Sequence, residues 1–140
     1  MQFTTALLGL LAAAGTSLAA PAPQSRQSPA QWTIALFTRT CNAEDTSCYV
    51  AFGINAGSGT RGCFYNVTGA PASQASVANV ACGQYIVGSG WSNAFPPNGF
   101  TTWSVADWGT RQIVFPSYSD RDLINGVPVK PDRSFPTSPL

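Results

Sequence analysis

Cys48-Tyr49-Val50-Ala51-Phe52-Gly53-Ile54, Gly57-Ser58-Gly59-Thr60 and Cys63-Phe64-Tyr65-Asn66-Val67-Thr68 follow one another along the chain. Val50, Phe52 and Ile54 recur at every second position, the spacing that puts side chains on one face of a strand. The glycine step turns the chain, because glycine takes up positive φ without a steric penalty. The two apolar runs around it read as a β-hairpin. Upstream, Trp32-Thr33-Ile34-Ala35-Leu36-Phe37 alternates likewise, with Trp32, Ile34 and Leu36 expected on the buried face. Downstream, Tyr85–Ser89, Phe100–Val105 and Arg111–Phe115 are further strands. Asn93 to Gly99 is a surface loop, and Asp107-Trp108-Gly109-Thr110 is a turn. Gly69 to Asn79 is small and polar, a loop or short helical turn. Asp120 to Ile124 reads as one helical turn, and Asn125-Gly126 as a tight turn. No long window has a 3.6-residue period. The class is all-β: a small antiparallel barrel or sandwich.

The ends differ from this centre. Residues 1–19 read as a secretory signal: Ala6 to Ala14 is an apolar core, and Ser17-Leu18-Ala19 is a small-x-small cleavage site. The apolar run is too short to span a bilayer, and no second run comes after it. Residues 20–30 are rich in Pro, Ser and Gln and read as a flexible arm. Residues 31–129 form the β domain, and the Pro-bearing residues 130–140 read as a loose tail.

Composition removes several functions. The 140 residues include 7 Lys+Arg, 6 Asp+Glu and no His. Without His there is no Ser-His-Asp triad, Cys-His protease or His-ligated metal site. A net charge of +1 gives no electrostatic footprint for nucleic acid or an anionic membrane. The only Lys, Lys130, lies in the tail, out of place for a Ser-Lys dyad. The four cysteines, in a small secreted domain, read as disulfides. Three pairings are possible; Cys41–Cys48 with Cys63–Cys82 is favoured, because each pair flanks a turn-rich segment and closes locally. A zinc site is disfavoured by the oxidising compartment and the absence of CxxC spacing. No cofactor or metal is expected.

The carboxylates available for acid–base work are Glu44, Asp45, Asp107, Asp120, Asp122 and Asp132. Glu44 and Asp45 read as solvated in the Cys41–Cys48 loop, and Asp107 as a cap for its own turn. The aromatics say more. Trp32 and its alternating neighbours read as core. Trp91 and Trp108 sit at turns, where an indole is harder to bury, and exposed turn aromatics serve as contact residues. With Tyr118, Asn98 and Phe100 they are the candidate binding residues. Asn66-Val67-Thr68 is the one Asn-x-Ser/Thr sequon, which makes Asn66 a candidate glycosylation site.

The order of features is similar to a family of small secreted fungal proteins. It runs through Trp32-Thr33-Ile34, Arg39-Thr40-Cys41 with Cys48, Phe52-Gly53-Ile54, Cys63, Val67-Thr68-Gly69, Ala72-Ser73 and Cys82-Gly83. It continues through Gly90-Trp91-Ser92, Asn98-Gly99-Phe100-Thr101-Thr102 and Pro116-Ser117-Tyr118-Ser119-Asp120. This resembles the hypersensitive-response-inducing protein elicitors of plant-pathogenic fungi, of the Mohrip2-like type. The resemblance implies a compact β-barrel with two disulfides, secretion into the plant apoplast, and provocation of cell death or defence. It implies no catalytic residue. The expected function is a non-enzymatic, monomeric, secreted effector or elicitor that binds a host plant protein or surface component. A cell-wall glycan-binding protein using the exposed Trp residues is the alternative, and a small Asp-based hydrolase is a third possibility.

Overall fold

The computed structural model describes Gly15, residues 18–22 and residues 30–140. Most of the expected signal and of the Pro/Ser/Gln arm lies outside the described residues. Among those described, no helix is long and apolar enough to cross a membrane.

Among the described residues ten strands form two antiparallel sheets: β1 Gln31–Cys41, β2 Ser47–Asn55, β3 Thr60–Thr68, β4 Val77–Cys82, β5 Tyr85–Ser92, β6 Phe100–Asp107, β7 Gln112–Val114, β8 Ser117–Ser119, β9 Arg133–Pro136 and β10 Ser138–Pro139. The first sheet has the order β3-β2-β1-β9; the second runs β10-β7-β6-β5-β4, with β8 also paired to β6. The sheets do not close into a barrel; the architecture is a sandwich. A 3-10 turn at Ala72–Gln74 is the short helical piece expected in the Gly69–Asn79 region, but Val77 to Cys82 there is strand β4. Its small, polar sequence hid it. Asp120 to Ile124 is an irregular turn rather than a helical one.

The hairpin around Gly57–Gly59 forms as expected, and both of these glycines have positive φ. Val50, Phe52 and Ile54 are buried. Strand β1 departs from simple alternation. The ladder passes from Ala35 opposite Gly53 to Thr38 opposite Ala51, an extra residue on β1. This is a β-bulge, which reverses the facing of the residues beyond it. Leu36 sits at φ 49° and is 59% exposed, while Phe37 takes the core position. The Leu36 backbone N–H donates to Asp132 Oδ1 at 2.8 Å, which holds the bulge.

The core between the sheets is aromatic. Phe37 stacks between Phe52 and Tyr118, at 5.2 and 4.5 Å between ring centroids, and meets the edge of Trp103 at 4.6 Å. Trp103 Nε1–H, on β6, donates to the Tyr65 hydroxyl on β3 at 2.8 Å, a hydrogen bond between the sheets. Burial raises the pKa of Tyr65 and pushes Tyr118 up to about 12.

Both favoured disulfides form. Cys41–Cys48 joins residues directly opposite in the β1–β2 ladder. Cys63–Cys82 ties β3 of one sheet to β4 of the other.

The C-terminal residues are not a loose tail. Strand β9 pairs with β1, placing Phe135 opposite Trp32, and β10 pairs with β7. Proline lacks an N–H and is tolerated at sheet edges, where these short strands lie. Phe135 packs edge-on to Tyr118 at 6.1 Å.

Candidate functional site: an aromatic-walled groove

The site begins with a turn. After β6 the chain reverses through Trp108-Gly109-Thr110, and Asp107 holds the reversal. Its Oδ1 accepts the backbone N–H of Gly109 at 2.9 Å and of Thr110 at 3.2 Å; its Oδ2 accepts Gln84 Nε2–H at 3.0 Å. The cap expected from the sequence is therefore present. Burial alone would raise the Asp107 pKa; the hydrogen bonds from Gln84, Thr110 and Gly109 outweigh it and lower the pKa below the usual aspartate value. The last residue helps: Leu140 N–H donates to the Arg111 carbonyl at 3.0 Å. This fixed turn presents Trp108 with 60% of its surface exposed.

Trp108 stands at one wall of a groove of about 560 Å³ on the outer face of the six-stranded sheet. Phe115, Ile113, Ile86 and Leu140 supply further apolar wall. The floor exists because the outward positions of β5 and β6 are small: Gly88 and Gly90 face Ser104 and Thr102 in the ladder, with Ala106 beyond. A Cβ added to Gly88 would lie 3.0 Å from Ser104 Oγ and 3.3 Å from the Val77 carbonyl, so the floor is already close-packed. No Asp, Glu, Lys or Arg side chain lines the groove. Ile86, Ile113, Phe115 and Leu140 were not singled out from sequence; the alternation of Ile86 and Ala106 with small residues was the available signal.

The other candidates lie elsewhere. Trp91 pairs with Thr101 near the start of β6, and Trp108 lies just past its end. At about 3.3 Å per residue the two are roughly 20 Å apart along the strand and do not form one stacking surface. Trp91 shares the inward phase of Tyr85 and Val87. Its ring covers Gly99, where an added Cβ would come within 2.5 Å of it, and its Nε1–H donates to Asp120 Oδ2 at 2.9 Å. It is half-buried, as are Asn98 and Phe100 beside it. Tyr118, expected among the binding residues, is a core residue with 1% of its surface exposed, because β8 faces it inward against Phe37.

Asp120 joins Trp91 to the other sheet. Its Oδ1 accepts from the Arg39 guanidinium at 3.3 Å, and the Arg39 side chain is nearly buried. Asp120→Ala leaves that guanidinium without its anion and Trp91 without its acceptor. The expected loss is about 1–3 kcal/mol of unfolding free energy. Urea denaturation checks this, with Asp120→Asn, which keeps an acceptor for Trp91, falling between the two; a loss below about 0.5 kcal/mol would rule out the pair as a structural tie.

The remaining aspartates are also occupied. Asp45 is not solvated: its carboxylate accepts from the Ser73 backbone N–H at 2.8 Å and from the Ser73 hydroxyl. Asp122 pairs with Arg133 at 3.1 Å. Cys41, Asp45 and Cys48 lie close enough for metal ligation, but the two sulfurs are bonded to each other. Asn66 is exposed on β3.

A disulfide-stapled β-sandwich that presents an apolar, aromatic-walled groove is the class of protein that fold and site define. The chain belongs to the Effector TSP1 family, whose model matches residues 33–139. It is 43% identical over 141 residues to Effector TSP1 of Hypocrea virens (strain Gv29-8 / FGSC 10586), with 96% of each chain covered. The protein is thus of a fungal effector family. The finer resemblance to a Mohrip2-like elicitor is replaced by this membership. An effector of this kind, with its cysteines oxidised, fits a secreted protein.

Proposed function

We propose that this protein is a secreted, non-enzymatic effector that binds a plant extracellular or surface protein through the Trp108 groove and so triggers a hypersensitive-type defence. The observation that carries the reading is Trp108 itself: a large indole held in the open by a buried, fully bonded Asp107, beside a groove with a small-residue floor. Exposed tryptophans at the centre of an apolar patch are the usual anchors of a protein interface. Absence of catalysis is supported by the carboxylates, since Asp45, Asp107, Asp120, Asp122 and Asp132 each bind a neighbouring group and none lines the groove.

Wall-glycan binding is the second reading, because Trp108 could also stack on a sugar ring. The groove favours a protein partner: its polar contribution is limited to groups such as Ser104, Thr102 and Asn79, without the charged or amide cluster that a row of sugar hydroxyls would engage. Infiltration of the oxidised mature protein into leaves, beside a reduced and alkylated sample, tests the proposal. Necrosis or a defence burst from the oxidised form alone is expected. Retention on insoluble polysaccharide without a leaf response would transfer the function to the wall.

A further inference from the structure

The outer face of the four-stranded sheet carries an apolar patch as well, beside the sequon. Strand β3 points Phe64, Asn66 and Thr68 outward, in alternation with the buried Cys63, Tyr65 and Val67. Phe64 is 69% exposed, and Tyr49, 43% exposed, lies directly opposite Asn66 in the β2–β3 ladder. The two rings are 6.5 Å apart. Beside them is a shallow trough of about 290 Å³ along Leu36, Ala51, Gly53 and Gly62. Asn66 thus has an aromatic ring two residues before it on the same face and another across the strand. β3 is also the edge of its sheet.

We propose that Asn66 carries an N-linked glycan whose first sugar packs on Phe64 and Tyr49, so that this face is covered by the protein's own carbohydrate. The donor is a polyprenyl-diphosphate oligosaccharide of the secretory pathway. Asn66 Nδ2 forms the bond to the sugar C1, the C1–oxygen bond to the diphosphate breaks, the diphosphate leaves with the bonding pair, and the amide proton goes to solvent or a base. The outward Thr68 hydroxyl completes the sequon. A sugar ring presents C–H groups on one face, and these sit favourably on the electron-rich face of an aromatic ring. The arrangement covers an exposed apolar face and shields an open strand edge from pairing with other chains. It leaves the Trp108 groove, on the other sheet, open.

The test is secretion of the full chain from a eukaryotic host that adds high-mannose glycans, with Asn66→Gln as the unglycosylated control. Intact mass should show one N-glycan that endoglycosidase H trims to a single sugar. That one-sugar form should melt within about 1 °C of the full glycoform and about 2–5 °C above Asn66→Gln. Phe64→Ala, which removes the stacking partner from an exposed position, should shrink that gap to below about 1 °C. An unoccupied Asn66, a gap that is absent, or a gap that Phe64→Ala leaves intact would each overturn the proposal. So would a Phe64-dependent dimer of the secreted chain, which would give this face to a second copy.

Discussion

The double variant Cys63→Ser Cys82→Ser loses about 3 kcal/mol of stability and melts roughly 10–20 °C lower. The bond spans 19 residues, and a loop of that size restricts the unfolded chain by about that amount. Its position adds a second effect. β3 and β4 are edge strands of different sheets, and this covalent link clamps their open flank. Both half-cystines are buried, so the new serine hydroxyls meet an apolar surround and cost more. The Cys41–Cys48 bond, by contrast, reinforces residues already paired in the ladder, and its loss should leave the sheets in register. Thermal melting and limited proteolysis at 37 °C check the result. A double variant with an unchanged melting temperature would show that the sandwich stands without its staple.

Trp103→Ala carries the other large effect, about 3–5 kcal/mol. The indole is buried, lies against Phe37 and Tyr118, and donates across the sheets to Tyr65. Truncation opens a cavity where the sheets meet and leaves the Tyr65 hydroxyl without its donor. Trp103→Phe separates the two contributions: it keeps much of the buried area and removes the donor, for about 1–2 kcal/mol. Denaturant unfolding of the pair should rank alanine well below phenylalanine. Equal losses would mean that the hydrogen bond, and not the packing, holds this part of the core.

The hairpin of β2 and β3 was fully legible, because Val50, Phe52 and Ile54 obey one period and glycines mark the turn. β1 was only half legible. A bulge is an insertion in the ladder relative to a partner strand, so Trp32-Thr33-Ile34-Ala35-Leu36-Phe37 cannot declare that Phe37, not Leu36, is inside. β9 was hidden by prolines, which signal breaks in isolation but are accepted on an edge strand. Trp91 and Trp108 both stand out along the chain as turn aromatics. Strand phase distinguishes them: Trp91 continues the even spacing of Tyr85 and Val87 and turns inward, whereas Trp108 falls in the outward phase of Ala106. Tyr118 could not be placed, since β8 is three residues long and carries no period of its own. The groove was the least legible feature, because it is made by what β5 and β6 lack on their outer face.

On the proposed function, those small residues shape what the groove can recognise. A flat sheet face bearing Ile86, Ile113 and Phe115 would be a poor discriminator, but the Gly88–Gly90 floor gives it depth, and Asp107 holds the turn that carries Trp108. Contact residues that need no conformational change on binding lose little entropy in the encounter.

The most direct test of recognition through this groove is a leaf-infiltration dose series with wild type and Trp108→Ala. Trp108 is exposed, so the variant should keep the wild-type melting temperature to within about 2 °C. Removal of an anchoring tryptophan costs about 2 kcal/mol or more of binding, so the dose for half-maximal response should rise at least about tenfold. A folded Trp108→Ala protein that acts at the wild-type dose would contradict the account.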